Sequence, residues 1–415
     1  MRLLVSVLKS KLTLETKYER GFNMLEVIKR SRLLMMTGLV SVVLAGCAGD
    51  TGANEADGAD SEGDTTEEVD ADGGSDGGLD VGIVLPTRDE PRWVQDEQRF
   101  KDAFADSDYT TEILFSQGSS ANELQNVETL ISKGIDVLIM SPHDGDAAAA
   151  AAQAAADEGI TVIAYDRLIT STDAVDYYVT FDSVAVGEAQ GQYLVDNVDG
   201  SGIPLYLYAG ASSDNNAFLF FEGAWSVLQP KIADGTFVIA NSSEADSLSN
   251  TAELTREEMG KIMSQITTNW DPNEAINRAQ THLTAAGDDL KGDVAVLAPN
   301  DGTARSIADT FAADGDITSY VITGQDAEMA SIQYIIDGKQ SMTVFKDVRK
   351  LVEDAMGMAV TILDGDTPET TGSYDNGAKE VEAMQSEVIV VNQENVKSAL
   401  IDSGYYEASD FTGLD

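Results

Sequence analysis

Short β-branched strands alternate with amphipathic helices along most of this chain, in two successive series. Val81-Gly82-Ile83-Val84-Leu85 reads as a buried strand, followed by a polar loop from Pro86 to Arg92 and a helical stretch from Trp93. Strand Glu112–Phe115, a helix with Leu124, Val127, Leu130 and Ile131 on one face, strand Val137–Met140, an Ala-rich helix over 147–156 and strand Thr161–Ala164 complete the first series. The second comprises strand Leu205–Tyr208, a helix whose Ala217, Phe221, Ala224 and Leu228 share a face, and strand Phe237–Ala240. A helix near 273–286, strand Val294–Ala298, a helix near 304–314 and strand Tyr320–Thr323 follow. Between the two halves of that series lies a polar, acidic insertion, 241–268, to which no element is assigned. Apolar strands separated by helices of 3.6-residue period indicate βαβ units and parallel, doubly wound sheets. Two such series predict an α/β fold of two Rossmann-like lobes with a ligand cleft between them.

A length of 415 residues suits two globular domains. The formal net charge of −46 repels nucleic acid and anionic lipid, which excludes DNA or a membrane surface bound through a basic patch. Two readings of such acidity stand: solubility, as in a medium salty enough to screen the repulsion, or an acidic face for a cationic ligand or cation. One cysteine, Cys47, and two histidines, His143 and His282, allow neither an intrachain disulfide nor a Cys/His zinc cluster. Walker A, dinucleotide-binding and Gly-x-Ser-x-Gly motifs are absent from the sequence. No cofactor and no metal are expected.

The N-terminal stretch reads as an address. Lys29-Arg30-Ser31-Arg32 precedes a compact apolar run, Leu33 to Ala45, that ends in Leu44-Ala45-Gly46-Cys47. A basic region, a short apolar core and small residues before a cut form a secretory signal over 1–46, with Met24 as an alternative start. The cysteine directly after the small pair resembles a bacterial lipobox, whose thiol is lipidated; the apolar run is too short for a membrane span. Residues 48–78 hold eleven acidic residues and no Lys or Arg. With so little apolar surface, 47–78 reads as a disordered tether, roughly 100 Å long when fully stretched. Loss of the signal removes a net five positive charges and leaves the mature chain near −51.

Polar groups cluster just after the strands, where open α/β sheets bind ligands. Arg92-Trp93 lies beyond the first strand and Asp166-Arg167 beyond Thr161–Ala164. Asp214-Asn215-Asn216 follows Leu205–Tyr208, Asn300-Asp301 follows Val294–Ala298, Gln325-Asp326 follows Tyr320–Thr323, and Lys346 follows Met342–Phe345. Trp270 lies in the loop Asn269-Trp270-Asp271-Pro272. Each has an ordinary alternative: an Asp or Asn after a strand often caps a helix, an Asp-Arg pair can be a surface salt bridge, and a lone Trp is commonly packing. Together they suit a polyol. Carboxylates and amides meet hydroxyls in fixed geometry, Arg and Lys donate to oxygens, and an indole covers the apolar face of a pyranose.

These pieces also resemble a known family, the type I periplasmic sugar-binding proteins of ABC importers, in the branch that binds xylose and multiple monosaccharides. The likeness covers about 79 to 410. It rests on Arg92-Trp93, Ala164-Tyr165-Asp166-Arg167, Phe181-Asp182, Gly210 through Asp214-Asn215-Asn216-Ala217, Gly324-Gln325-Asp326-Ala327, Thr343-Val344-Phe345-Lys346-Asp347, Tyr374-Asp375-Asn376-Gly377 and Asp402-Ser403-Gly404-Tyr405-Tyr406. The resemblance implies that Arg92, Trp93, Asp166 and Arg167 bind sugar from the first lobe. Asn216 (with Asn215 as its alternative), Trp270, Asn300 and Asp326 would bind from the second, with Lys346 at the crossing between lobes. It implies hinge strands near 180–182, 345–347 and 387–390, an N-terminal lobe of 79–180 plus 347–387 and a C-terminal lobe of 181–346 plus 388–415.

The function so implied is a monomeric, lipid-anchored extracytoplasmic receptor. It captures a monosaccharide of the xylose, glucose, galactose or arabinose class and delivers it to the membrane subunits of an ABC permease. Presentation of the closed form to a membrane signalling receptor is the alternative. An enzyme would set Asp166, Asp326 and Asp301 on a glycoside, but Arg167 and Lys346 nearby keep acids ionised, which suits binding better than acid catalysis. A transcriptional regulator would need a helix-turn-helix where the signal and tether stand. If the lipobox is used, radiolabelled fatty acid should enter the wild-type protein and not Cys47→Ser; equal labelling of both would refute the anchor.

Overall fold

The computed structural model describes residues 78–414 apart from Asp106. The signal, Cys47 and nearly all of the tether lie outside the described residues.

In the first lobe, β1 (Val81–Leu85), β2 (Thr111–Phe115), β3 (Val137–Met140), β4 (Thr161–Tyr165) and β5 (Tyr177–Phe181) are joined by a hairpin from the far end of the chain, β11 (Gly372–Asp375) and β12 (Glu380–Ser386). The order is β11-β12-β5-β4-β3-β1-β2, parallel throughout except for the antiparallel β11 edge. Successive side chains of a strand point to opposite faces, so each face acquires its own core. Val84, Leu138, Met140, Val162 and Ala164 pack against α2 (Ser120–Ser132) and α3 (Ala149–Asp157). Ile83, Leu85, Ile139, Ile163 and Tyr165 pack against α1 (Pro91–Phe104) and α11 (Val348–Leu363).

The second lobe repeats the plan with a four-stranded parallel sheet, β7-β6-β8-β9. Its strands are β6 (Ile203–Leu207), β7 (Phe237–Ile239), β8 (Gly292–Leu297) and β9 (Ile317–Ile322). One face packs on α4 (Ser183–Asp196) and α5 (Asn215–Ala233), the other on α8 (Pro272–Ala285) and α9 (Asp301–Ala312). The helix α10 (Met329–Ile336) and an antiparallel pair, β10 (Met342–Phe345) with β13 (Ile389–Asn392), complete it. The chain passes between the two sheets after β5, after β10 and after β12.

The insertion 241–268, unassigned in the sequence, is largely helical. It contains α6 (Ser243–Ser247) and α7 (Arg256–Ile266), the latter started by a capping box between Thr255 and Glu258. Met259, Ile262, Met263 and Ile266 follow helical spacing and join the core, a short stripe that follows a polar, acidic stretch. The strand β5 and the helix α4 were likewise not read from periodicity. Helix α4 meets α5 backbone to backbone at two glycines. A Cβ on Gly187 would lie 1.9 Å from the Phe220 carbonyl oxygen, and one on Gly223 would lie 2.1 Å from that of Val184. Gly223→Ala should therefore force the helices apart and cost about 3 kcal/mol in urea denaturation; an unchanged midpoint would show that the contact yields.

Candidate ligand-binding site

The strand ends of the two sheets meet around a pocket of about 300 Å³. It is lined by Glu90, Arg92, Trp93, Asp166 and Arg167 from the first lobe. Asp214, Asn216, Phe220, Trp270, Asn300, Gln325 and Asp326 come from the second, and Lys346 from the crossing after β10. Nine of the ten sugar-site candidates named from the sequence line it. The tenth, Asn215, points elsewhere: it accepts from Arg256 Nη1 at 2.7 Å and lines an outer cavity with Asp144, Asp146 and Ser213. As the first residue of α5, it lies about 100° around the helix from Asn216, the alternation that separates the two. Glu90, Asp214, Phe220 and Gln325 were not among the candidates. Asp214 and Gln325 stood in the strand-end motifs, but a helix cap explained the first, and Glu90 and Phe220 carried no signal of their own.

Arg92 is the centre of the pocket's charge network. It sits one residue inside the N-terminus of α1, 4 % exposed, and its fork is divided among three acids. Nε donates to both oxygens of Asp96 at 3.1 Å, Nη2 to Asp166 at 2.9 Å and Nη1 to Asp326 at 3.5 Å. Lys346 Nζ lies 2.8 Å from Asp326 and 3.9 Å from Asp166. A second set runs beside it, with Arg167 Nε 3.0 Å from Asp214 and its Nη2 3.3 Å from Glu90. The pairs Arg92–Asp326 and Arg167–Asp214 each join one lobe to the other.

The backbone at these positions is unusual. Asp166, Trp270 and Asp326 have φ of +60°, +60° and +96°, the left-handed region that costs a side-chain-bearing residue energy. Hydrogen bonds hold the bends at Asp166 and Asp326. The Asp166 amide donates to the Val179 carbonyl at 2.8 Å, while the Asp166 carbonyl accepts from Tyr178 Oη at 2.6 Å and Asn216 Nδ2 at 2.8 Å. The Asp326 amide donates to the Val344 carbonyl at 2.9 Å. Trp270 lies flat on Gly210, where a Cβ would fall 2.0 Å from its ring, and meets Phe220 edge-on at 6.3 Å.

Burial would raise the Asp166 carboxyl, but Arg92, Lys346 and Arg167 outweigh it and hold the group below its ordinary value. Burial prevails at Asp214 and Glu90, which are raised despite Arg167. Asn300 caps α9, accepting from the Thr303 amide and hydroxyl. Asp301, a member of the hydrolytic reading, does not line the pocket. Its carboxylate accepts from Gln340 Nε2 and the Glu328 amide, both at 2.8 Å, behind the turn that carries Asp326. Among the described residues, no group of three or more His, Cys, Asp and Glu could hold a metal ion.

A family described as periplasmic binding protein domain matches residues 81–367. The chain belongs to that family. The multiple sugar-binding periplasmic protein SbpA of Azospirillum brasilense is 36 % identical over 340 residues, covering 80 % of this chain and 90 % of the relative. The D-xylose-binding periplasmic protein of Escherichia coli is 30 % identical over 330 residues, covering 80 % and 92 %. A crystal structure of a carbohydrate transporter solute binding protein from Chloroflexus aurantiacus, in complex with D-glucose, superposes with a TM-score of 0.80 at 68 % identity, covering 81 % of this chain and 99 % of that one. These relatives are solute-binding proteins, not enzymes.

Asp96, fully buried behind Arg92, is raised by burial to about 7 despite the guanidinium. The folded protein thus keeps a proton that the unfolded chain releases above 3.8, and this group subtracts stability as pH rises through that window. Asp96→Asn does not titrate. Between pH 5 and 8 the stability of wild type relative to this variant should fall by about 1–3 kcal/mol in urea denaturation; a constant difference would refute the raised value.

Proposed function

We propose that this chain is an extracytoplasmic receptor that encloses one monosaccharide, D-glucose foremost, and hands it to an ABC sugar permease. The observation that carries this reading is the pocket itself. Its three cations and four carboxylates answer one another, so a charged ligand would leave one of them unpaired, whereas a neutral polyol satisfies both kinds. Two tryptophans and Phe220 supply apolar faces for a pyranose. D-glucose is favoured over a pentose because it is the ligand of the 68 % identical structure.

The lobes, 79–180 plus 347–387 and 181–346 plus 388–415, would move about the crossings near 180–182, 345–347 and 387–390. When they part, Arg92 loses Asp326 and Arg167 loses Asp214. A sugar bridging Asp166 and Arg92 on one side to Asp326 and Asn216 on the other would favour closure by its differential contacts with the closed state. Lipidation at Cys47 and the acidic tether would keep a monomeric receptor at the membrane while letting its lobes reach the permease. No bond of the ligand is broken in this cycle.

Titration calorimetry with a panel of pentoses and hexoses should show D-glucose binding at micromolar concentration or below. Asp166→Ala should weaken it at least about 100-fold while the protein stays folded, because removal of one partner leaves Arg92 and Lys346 underpaired in a buried site. Wild-type affinity in that variant would refute the site, and hydrolysis of a glucoside by the purified protein would refute the binding-only reading.

A further inference from the structure

Buried polar atoms are nearly always hydrogen-bonded, and those that are not ask for an explanation. Nine buried side-chain atoms lack a partner among the described residues, and three of them belong to this one pocket: Trp93 Nε1, Trp270 Nε1 and Gln325 Oε1. The two indoles carry apolar ring faces as well as their N–H groups. Gln325 has no such face. Its residue is 2 % exposed, and an aliphatic side chain would fill that space without an unmet acceptor.

The structure also holds Gln325 so that it cannot withdraw. Its carbonyl accepts from the Asp301 amide at 3.0 Å, and it bridges to Val344 on the other side. The preceding residue, Gly324, is pressed against the buried pair behind it: a Cβ there would lie 2.3 Å from Asp301 Oδ1 and 2.4 Å from Gln340 Nε2. The following residue, Asp326, is fixed through the Val344 carbonyl and lies in the left-handed region. A backbone pinned on three sides keeps Gln325 among the residues that line the pocket.

We infer that Gln325 is a specificity-determining residue, whose side-chain amide reads a single hydroxyl of the bound sugar. The hydroxyl donates to Oε1 and so satisfies the unmet acceptor. A ligand lacking that one hydroxyl leaves the amide buried and unpaired, and sites built this way reject such analogues more strongly than apolar pockets reject a missing methylene. Asp166, Arg92 and Lys346 are already paired with one another, so they bind polyols with less regard to which hydroxyl is present. On this view the charge network supplies affinity and Gln325 supplies selection.

The inference rests on the monosaccharide reading, and one experiment separates the two. Affinities of D-glucose and its monodeoxy analogues are measured by calorimetry for wild type and for Gln325→Met, which keeps the volume and removes the amide. In wild type, one deoxy analogue should bind about 10- to 100-fold more weakly than glucose through loss of this contact. In Gln325→Met the same analogue should bind within about twofold of glucose, while the other analogues keep their wild-type ratios. If every ratio is the same in both proteins, the role of Gln325 is refuted and the receptor reading stands. If wild type binds no monosaccharide, both fall. Thermal melting checks that the variant is folded, and Gln325→Leu gives the same readout should methionine not be accepted.

Discussion

The guanidinium of Arg92 is the group on which the pocket depends. Taking a cation out of water costs several kcal/mol, and only close, well-directed acceptors offset that cost. Three acids supply them here, and they come from different places: Asp96 from the same helix, Asp166 from the end of β4, Asp326 from the turn after β9. Arg92 thus draws its two nearest partners from its own lobe and its third, Asp326 at 3.5 Å, from the other. Arg167 repeats the arrangement with Asp214, so the cleft is spanned by two buried ion pairs.

The backbone contributes a second constraint. Asp166 and Asp326 both sit at positive φ, one on each side of the pocket, and each donates a backbone hydrogen bond to a carbonyl of a neighbouring strand. Strain of this kind is stable only where surrounding contacts over-determine it. The contacts here are the Tyr178 hydroxyl, the Asn216 amide and the Val179 and Val344 carbonyls. They aim the two carboxylates at the same guanidinium and at Lys346. Gly210 does the same for Trp270 by leaving room for its ring.

Much of this was legible in the residue order. The strand ends carrying Arg92, Asp166, Arg167, Asn216, Asn300, Asp326 and Lys346 were visible because ligands of α/β sheets lie beyond the carboxyl ends of strands. Asn215 illustrates the limit, since two adjacent asparagines are equivalent in sequence and about 100° apart on a helix. In the insertion 241–268 the stripe Met259, Ile262, Met263 and Ile266 has clear helical spacing, but it is only four residues long and follows a polar, acidic stretch; its burial against the second-lobe core is a tertiary fact. Glu90 and Phe220 became site residues only because the fold brings a loop and a helix face to the same cavity.

By itself, the sequence determined the two α/β series, the polar strand-end residues, the extreme acidity and the absence of nucleophile and phosphate motifs. These follow from local periodicity and side-chain chemistry, which need no knowledge of distant neighbours. Only the tertiary structure decided which acids share one guanidinium, which carboxyls are raised and which lowered, and which buried amide is left without a partner. Those properties depend on distances of a few ångströms between residues up to 234 positions apart, and no local pattern encodes them.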